Sequence, residues 1–305
     1  MPGPPGRRTR GGIVDTGSHL TDFSPTPPVP RPLPAKWIHG SPSAKHNTDP
    51  DIQVHAYDEH TFVLRQNMAV HYEAPFVFLL CGDERAVLID TGATGSAGFF
   101  PLRRVVDELL ADRLARRPRE DYGLLVLHTH GHGDHTAGDG QFADRPGTTV
   151  VGADLAAAWR YFGFDADPDA VARVDLGGRV LECLATPGHH EAAVTYYDPA
   201  TGLLLTGDTV YPGRLYIEDL AAFTRSIDRL IEFAGHRPVT HVLGCHIEMT
   251  TEPGVDYPVR TTYQPDEPPL ELTPAHLRRI RDGLGELDAD GTWRAHSDFV
   301  LCLHA

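Results

Sequence analysis

Short runs of consecutive apolar residues, each closed by a polar or glycine-containing turn, recur along this chain. Phe76-Val77-Phe78-Leu79-Leu80-Cys81, Ala86-Val87-Leu88-Ile89, Leu124-Leu125-Val126-Leu127 and Leu203-Leu204-Leu205 have the length and composition of buried strands. The pattern predicts strands at 52–57, 61–66, 76–81, 86–90 and 123–128. Further strands are predicted near 148–151, 180–185, 193–198, 202–207 and 240–244. Amphipathic spacing predicts helices near 102–115, 153–161 and 219–234. Thr273-Pro274 opens another, whose apolar face includes Leu277, Ile280 and Leu284. Residues 299–303 read as a closing edge strand. A strand-rich first quarter followed by strand-helix alternation predicts an α/β (α+β) sandwich of two sheets with helices outside, rather than a barrel or a doubly wound sheet.

Composition adds bounds to this picture. A chain of 305 residues with 41% hydrophobic content can bury a sizeable core, so residues 51–305 are expected to form one domain. Residues 1–50 differ, with Pro25-Thr26-Pro27-Pro28-Val29-Pro30-Arg31-Pro32-Leu33-Pro34 as the extreme case. This extension is expected to be flexible or strapped on the surface, with Trp37 and Ile38 favouring docking of its end, and it offers a route to oligomers. Arg7-Arg8 has no apolar segment after it, so no export signal is read there. No apolar stretch reaches the length of a membrane span, and the four cysteines at 81, 183, 245 and 302 show no paired spacing. A cytoplasmic protein with free thiols and no membrane contact is the expectation. The formal charge of -15 argues against a partner such as nucleic acid, which needs a basic surface.

The chemistry gathers where strands end. The predicted strand at 123–128 empties into Thr129-His130-Gly131-His132-Gly133-Asp134-His135, and glycines at 131 and 133 allow tight turning between metal-capable side chains. His130 and His132 can face one ion while Asp134 and His135 face another. Thr186-Pro187-Gly188-His189, Thr206-Gly207-Asp208 and Gly244-Cys245-His246 each place another metal-capable side chain after an apolar run. His128, His190 and His241 are read as packed or solvent-facing, and Cys245 as a small buried apolar residue.

These motifs resemble those of the metallo-β-lactamase superfamily. The family's H-x-H-x-D-H stands at 130–135, its T-P-G-H at 186–189, its G-D at 207–208 and its late histidine at 246. Asp90 in Ile89-Asp90-Thr91-Gly92 is similar to the family's first motif. The resemblance implies a four-layer αββα sandwich and two zinc ions. His130, His132 and His189 would hold one ion, Asp134, His135 and His246 the second, and Asp208 would bridge them, with Asp90 as structural support. It further implies a hydrolase in which a metal-bridging hydroxide attacks an activated carbonyl of a small molecule: a lactone, ester, thioester or β-lactam. Asp134 and Asp208 are the candidate catalytic residues, orienting that hydroxide, with Asp134 taking its proton.

Substrate contacts are sought in the segment after Asp208, where Tyr211 and Tyr216 are candidate oxyanion donors and Arg214 a candidate carboxylate ligand. Trp159, with Tyr161, Phe162 and Phe164, is a candidate apolar wall. Two alternatives stay open. One is an enzyme similar to the family's persulfide dioxygenases, with a single Fe held by His130, His189 and Asp208. The other is a non-catalytic metal-binding or scaffold role.

Overall fold

The computed structural model describes residues 21, 23, 27–34, 36–287 and 293–303. Arg7, Arg8, Pro25 and Thr26 lie outside them. The first sheet contains β1 (Ile52–Asp58), β2 (Thr61–Gln66), β3 (Phe76–Cys81), β4 (Arg85–Ile89), β5 (Gly123–Leu127) and β6 (Thr148–Val150) in that spatial order. β1 to β4 are antiparallel neighbours, whereas β4, β5 and β6 run parallel. Such parallel pairs require a crossover, and α1 (Leu102–Arg116) supplies it between β4 and β5. The second sheet has the order β12-β10-β9-β8-β7, built from β7 (Ala172–Asp175), β8 (Val180–Ala185), β9 (Val194–Asp198), β10 (Leu203–Gly207) and β12 (His241–Gly244).

Strand side chains alternate between faces, and both faces of the first sheet are covered. Phe76, Phe78 and Leu80 of β3 join Val87, Ile89, Leu125 and Leu127 in a core shared with Leu181, Val194, Tyr196, Leu203 and Leu243 of the second sheet. Val77, Leu79 and Cys81 point the other way, into a layer with Leu102, Val106 and Leu110 of α1. This double coverage explains why β3 reads as six apolar residues without a polar break. The outer face of the second sheet carries Leu184, Tyr197, Leu204 and Val242 against α4 (Leu220–Gly235) and α5 (Pro274–Gly285). The result is the four-layer αββα sandwich expected from the sequence.

Several local expectations are corrected. Residues 214–217, in the segment after Asp208 where no strand is predicted, form β11 (Arg214–Ile217), paired in parallel with β14 (Val300–Leu303). β14 is not an edge, because β13 (Trp293–Ala295) pairs on its other side. β7 was also absent from the predicted strands; its Arg173 and Asp175 are exposed, as suits the end strand of a sheet. Residues of the extension enter the main core: Leu33 is 7% exposed and Trp37 4%, with Trp37 edge-on to Phe76. No helix among the described residues is long and apolar enough to cross a membrane.

Candidate metal centre

Parallel pairing aligns Ile89 with Leu127, so β4 and β5 end together and the Asp90 amide donates to the Leu127 carbonyl at 2.9 Å. On the second sheet β10 and β12 end together at Gly207 and Gly244. The two strand ends meet closely. Gly207 has φ +55°, and a Cβ there would stand 2.6 Å from the Cβ of Thr129, so only glycine lets the sheets approach at this point. The Val194 amide donates to the Thr129 carbonyl at 2.8 Å, a second link between the sheets at the same edge.

Thr129 leads into His130, and the chain then turns through α2 (Gly133–Thr136), with His132 preceding it in extended conformation. Neither Gly131 nor Gly133 turns through a positive φ: Gly131 lies in the bend before α2, Gly133 begins the helix, and a Cβ on Gly133 would meet nothing within 4 Å. Gly188 does need its freedom. Its φ is +137° and a Cβ would lie 2.3 Å from the Phe223 backbone, so α4 packs directly on the turn that presents His189.

Seven side chains converge in two groups. His130 Nε2 lies 2.9 Å from His132 Nδ1 and 3.3 Å from His189 Nε2, and the latter two atoms are 3.1 Å apart. Asp134, His135, Asp208 and His246 form the second group. His135 Nε2 is 3.3 Å from Asp134 Oδ2 and 3.5 Å from Asp208 Oδ1, and His246 Nε2 is 3.3 Å from both. Asp208 faces both groups, because its Oδ2 lies 3.8 Å from His189 Nε2. His132 is exposed and Asp134 half-buried while the other five are buried, so the centre opens to solvent over residues 132–134.

The outer nitrogens are held as a metal site requires. His135 Nδ1 faces Asp90 Oδ2 at 2.9 Å, His189 Nδ1 the Tyr216 carbonyl at 2.9 Å and His246 Nδ1 the Glu73 carbonyl at 3.0 Å. His130 Nδ1 lies 3.1 Å from the Thr129 hydroxyl, which itself donates to Asp90 Oδ2 at 2.8 Å. With these nitrogens acting as donors, the inward nitrogens present lone pairs. His135 Nε2, His246 Nε2 and Asp208 Oδ1 are buried with no hydrogen-bond partner. A buried polar atom without a partner is costly, and a cation placed among these atoms would satisfy all of them.

The two groups differ in charge. Burial and the neighbouring imidazoles, His135 foremost, hold His130 well below its ordinary pKa despite Asp208 nearby. His189 is also lowered, chiefly by burial. Burial opposes protonation of His135 and His246 too, but Asp208 and Asp134 outweigh it and raise both well above the ordinary value. The reciprocal effect lowers Asp134 and Asp208, again against a burial penalty.

The family model described as the metallo-beta-lactamase superfamily matches residues 73–246, which include all seven of these side chains and Asp90. The chain belongs to the metallo-beta-lactamase superfamily. A hydroxyacylglutathione hydrolase of Rhizobium meliloti is 28% identical over 191 residues, covering 58% of this chain and 70% of that protein. The acyl-coenzyme A thioesterase MBLAC2 of Bos taurus is 28% identical over 203 residues, 56% of this chain and 72% of that protein. A metallo-beta-lactamase from Pontibacter korlensis shares the fold, with a TM-score of 0.52 at 18% identity, covering 77% of this chain and 99% of that one.

The substrate candidates are placed differently from the metal-capable residues of this superfamily member. Arg214 is buried, with its guanidinium 2.5 Å from Glu248 and 2.8 Å from Asp256, and it also donates to the Tyr257 carbonyl. That pairing makes it a brace between β11 and residues 248–257 rather than a carboxylate ligand. Tyr211 is buried and its hydroxyl donates to the Arg214 carbonyl, which removes it as an oxyanion donor. Tyr216 acts through its backbone, as the acceptor for His189, while its hydroxyl accepts from Arg214 Nε at 3.1 Å. Trp159 and Phe162 pack against the inter-sheet core, Phe164 lies within it, and Trp159 also borders a cavity of about 570 Å³ beside Pro187 and Ser226.

Cys245 is buried, as read from the sequence, but neither it nor His190 was given a place beside the metal-capable residues. The Cys245 thiol lies 3.4 Å from Asp90 Oδ2. His190 Nδ1 accepts from the Ala192 amide, and its ring centroid is 5.0 Å from that of His132. The doubled histidine after Pro187-Gly188 was the available signal for His190.

Proposed function

We propose that this chain is a binuclear, metal-dependent hydrolase that cleaves thioesters of small acyl groups. The observation that carries this reading is Asp208, whose two oxygens face two separate donor sets within a few Å of each other. His130, His132 and His189 would hold one ion, and Asp134, His135 and His246 the other. Zinc suits both sets of nitrogen and oxygen donors. When bound, such ions lower the pKa of a coordinated water toward about 7 and polarise a carbonyl.

The protein's own groups supply the rest. Asp134 is half-buried at the open side of the centre, where its carboxylate can take the proton released as water adds to the acyl carbon. It can then return that proton to the departing thiolate. The C–S bond breaks, a C–O bond forms, and a carboxylic acid and a thiol leave. Asp208 fixes the spacing of the two groups. The thioester preference is drawn from the relatives, since a hydroxyacylglutathione hydrolase and an acyl-coenzyme A thioesterase both cleave thioesters.

The test is a hydrolysis panel on one zinc-loaded preparation: an acylglutathione, an acyl-coenzyme A, the matching oxygen ester, a lactone, a β-lactam and a phosphodiester. The expected result is fastest turnover of a thioester. Turnover confined to the phosphodiester or the β-lactam would overturn the thioester assignment.

A further inference from the structure

Asp90 is fully buried, and it adopts a left-handed backbone with φ +68°, uncommon for a residue with a side chain. Its carboxylate gathers donors from three parts of the fold. Oδ1 accepts from the Thr129 amide at 2.7 Å, and Oδ2 from the Thr129 hydroxyl at 2.8 Å and from His135 Nδ1 at 2.9 Å. Cys245 Sγ completes this set at 3.4 Å, from the residue directly before His246 and 155 positions away in sequence. Through Thr129 and His135, one carboxylate therefore orients a histidine in each group of the metal centre.

We infer that Cys245 is a positioning residue for the metal centre, its thiol donating to Asp90 Oδ2 and so fixing the tautomer and direction of His135. This role rests on the metal-centre reading above. Cys245 is at 0% exposure, and its backbone is anchored on both sides: its amide donates to Gly207 at 3.2 Å and its carbonyl accepts from Phe76 at 2.8 Å. The sulfur therefore has a fixed aim. A buried carboxylate that loses one donor is left under-solvated, and it then draws harder on the proton of His135 or shifts toward Thr129. Either response moves His135 Nε2, the atom facing Asp134 and Asp208. The same distances group Asp90, His135 and Cys245 as metal-capable atoms. An Asp90 whose oxygens are already taken by Thr129 and His135 favours the positioning role over a third ion.

The experiment is chelator competition on the full chain loaded with zinc alone. It compares wild type with Cys245→Ser, which keeps a donor, and with Cys245→Ala and Cys245→Val, which do not. Cys183→Ala serves as a control for loss of a buried sulfur elsewhere in the core, where Cys183 is also at 0% exposure. The Ala and Val variants are expected to release their more weakly held zinc about tenfold more readily, the low end for residues that support a ligand from outside the coordination shell. Serine is expected to restore most of that loss, and Cys183→Ala to leave zinc release unchanged. Should Ala prove too unstable to purify, the Ser and Val pair alone decides. Equal zinc release by Ser and by Val or Ala would overturn the inference, as would an equal effect of Cys183→Ala. A wild-type chain that retains no zinc would overturn the metal-centre reading, and the role of Cys245 with it.

Discussion

The two halves of the centre are built from the same strand ends yet have opposite electrostatics. In the first, beside His132, the buried His130 and His189 resist protonation, whereas Asp134, Asp208, His135 and His246 form a charged group that, without a metal, favours protons on its histidines. In the second group protons and metal compete for the same nitrogens, while in the first they compete little. Geometry alone would make the two halves equivalent; the carboxylates make them different.

Removing what joins the halves is expected to have the largest effect. Asp208→Ala should lower kcat/KM for the best thioester on the order of a thousandfold, as expected when an aligned electrostatic group is lost from a reaction centre. Zinc content in the same variant should fall in both halves, and a variant that keeps two ions would show that Asp208 does not bridge them.

Arg214 lies outside both halves and separates stability from metal binding. Truncating it to Met leaves Glu248 buried beside the apolar stem, and loss of one partner of such a pair costs about 3–5 kcal/mol. Thermal or urea unfolding should show that loss, while KM for the thioester stays near wild type. A large rise in KM with stability intact would return Arg214 to the substrate.

Asp90→Asn probes one half more than the other. Asparagine keeps the size but not the charge that receives His135 Nδ1, so zinc at the charged half should weaken about 10–100-fold. Equal weakening of both ions would mean that the Thr129 route to His130 matters as much as the direct contact.

Acidity should separate the halves more gently. As pH falls, zinc is expected to leave the charged half first, because His135 and His246 take up protons more readily than His130 and His189. For the metal-free chain the sign is different. The raised histidines stabilise it fully below their unfolded pKa of about 6.5, and that contribution is lost as pH rises through their folded values. The lowered carboxylates Asp134 and Asp208 contribute above about 3.9, and that share is lost as pH falls toward their folded values. Unfolding of the zinc-free protein should therefore grow easier toward alkaline pH, and zinc should remove the trend. A metal-free chain that becomes more stable toward alkaline pH would contradict the raised values.

Much of the centre was legible because each metal-capable residue follows an apolar run, and strands covered on both faces leave an unbroken hydrophobic signature. β3 and β10 show it, with every residue buried. β11 escaped because its Arg214 is a charged residue made burial-compatible by Glu248, 34 positions later, which no local pattern reveals. The same holds for Cys245, whose partner Asp90 follows β4 of the other sheet, 155 positions away. Ligand spacing is local, whereas the contacts that decide a side chain's availability come from tertiary packing.

Elemental analysis of the purified full chain tests the central claim, two donor groups sharing Asp208, most directly. Two zinc ions per chain, released in two separable steps on chelator titration, are expected. A single iron ion per chain, with oxygen consumed in the presence of a thiol substrate, would contradict it.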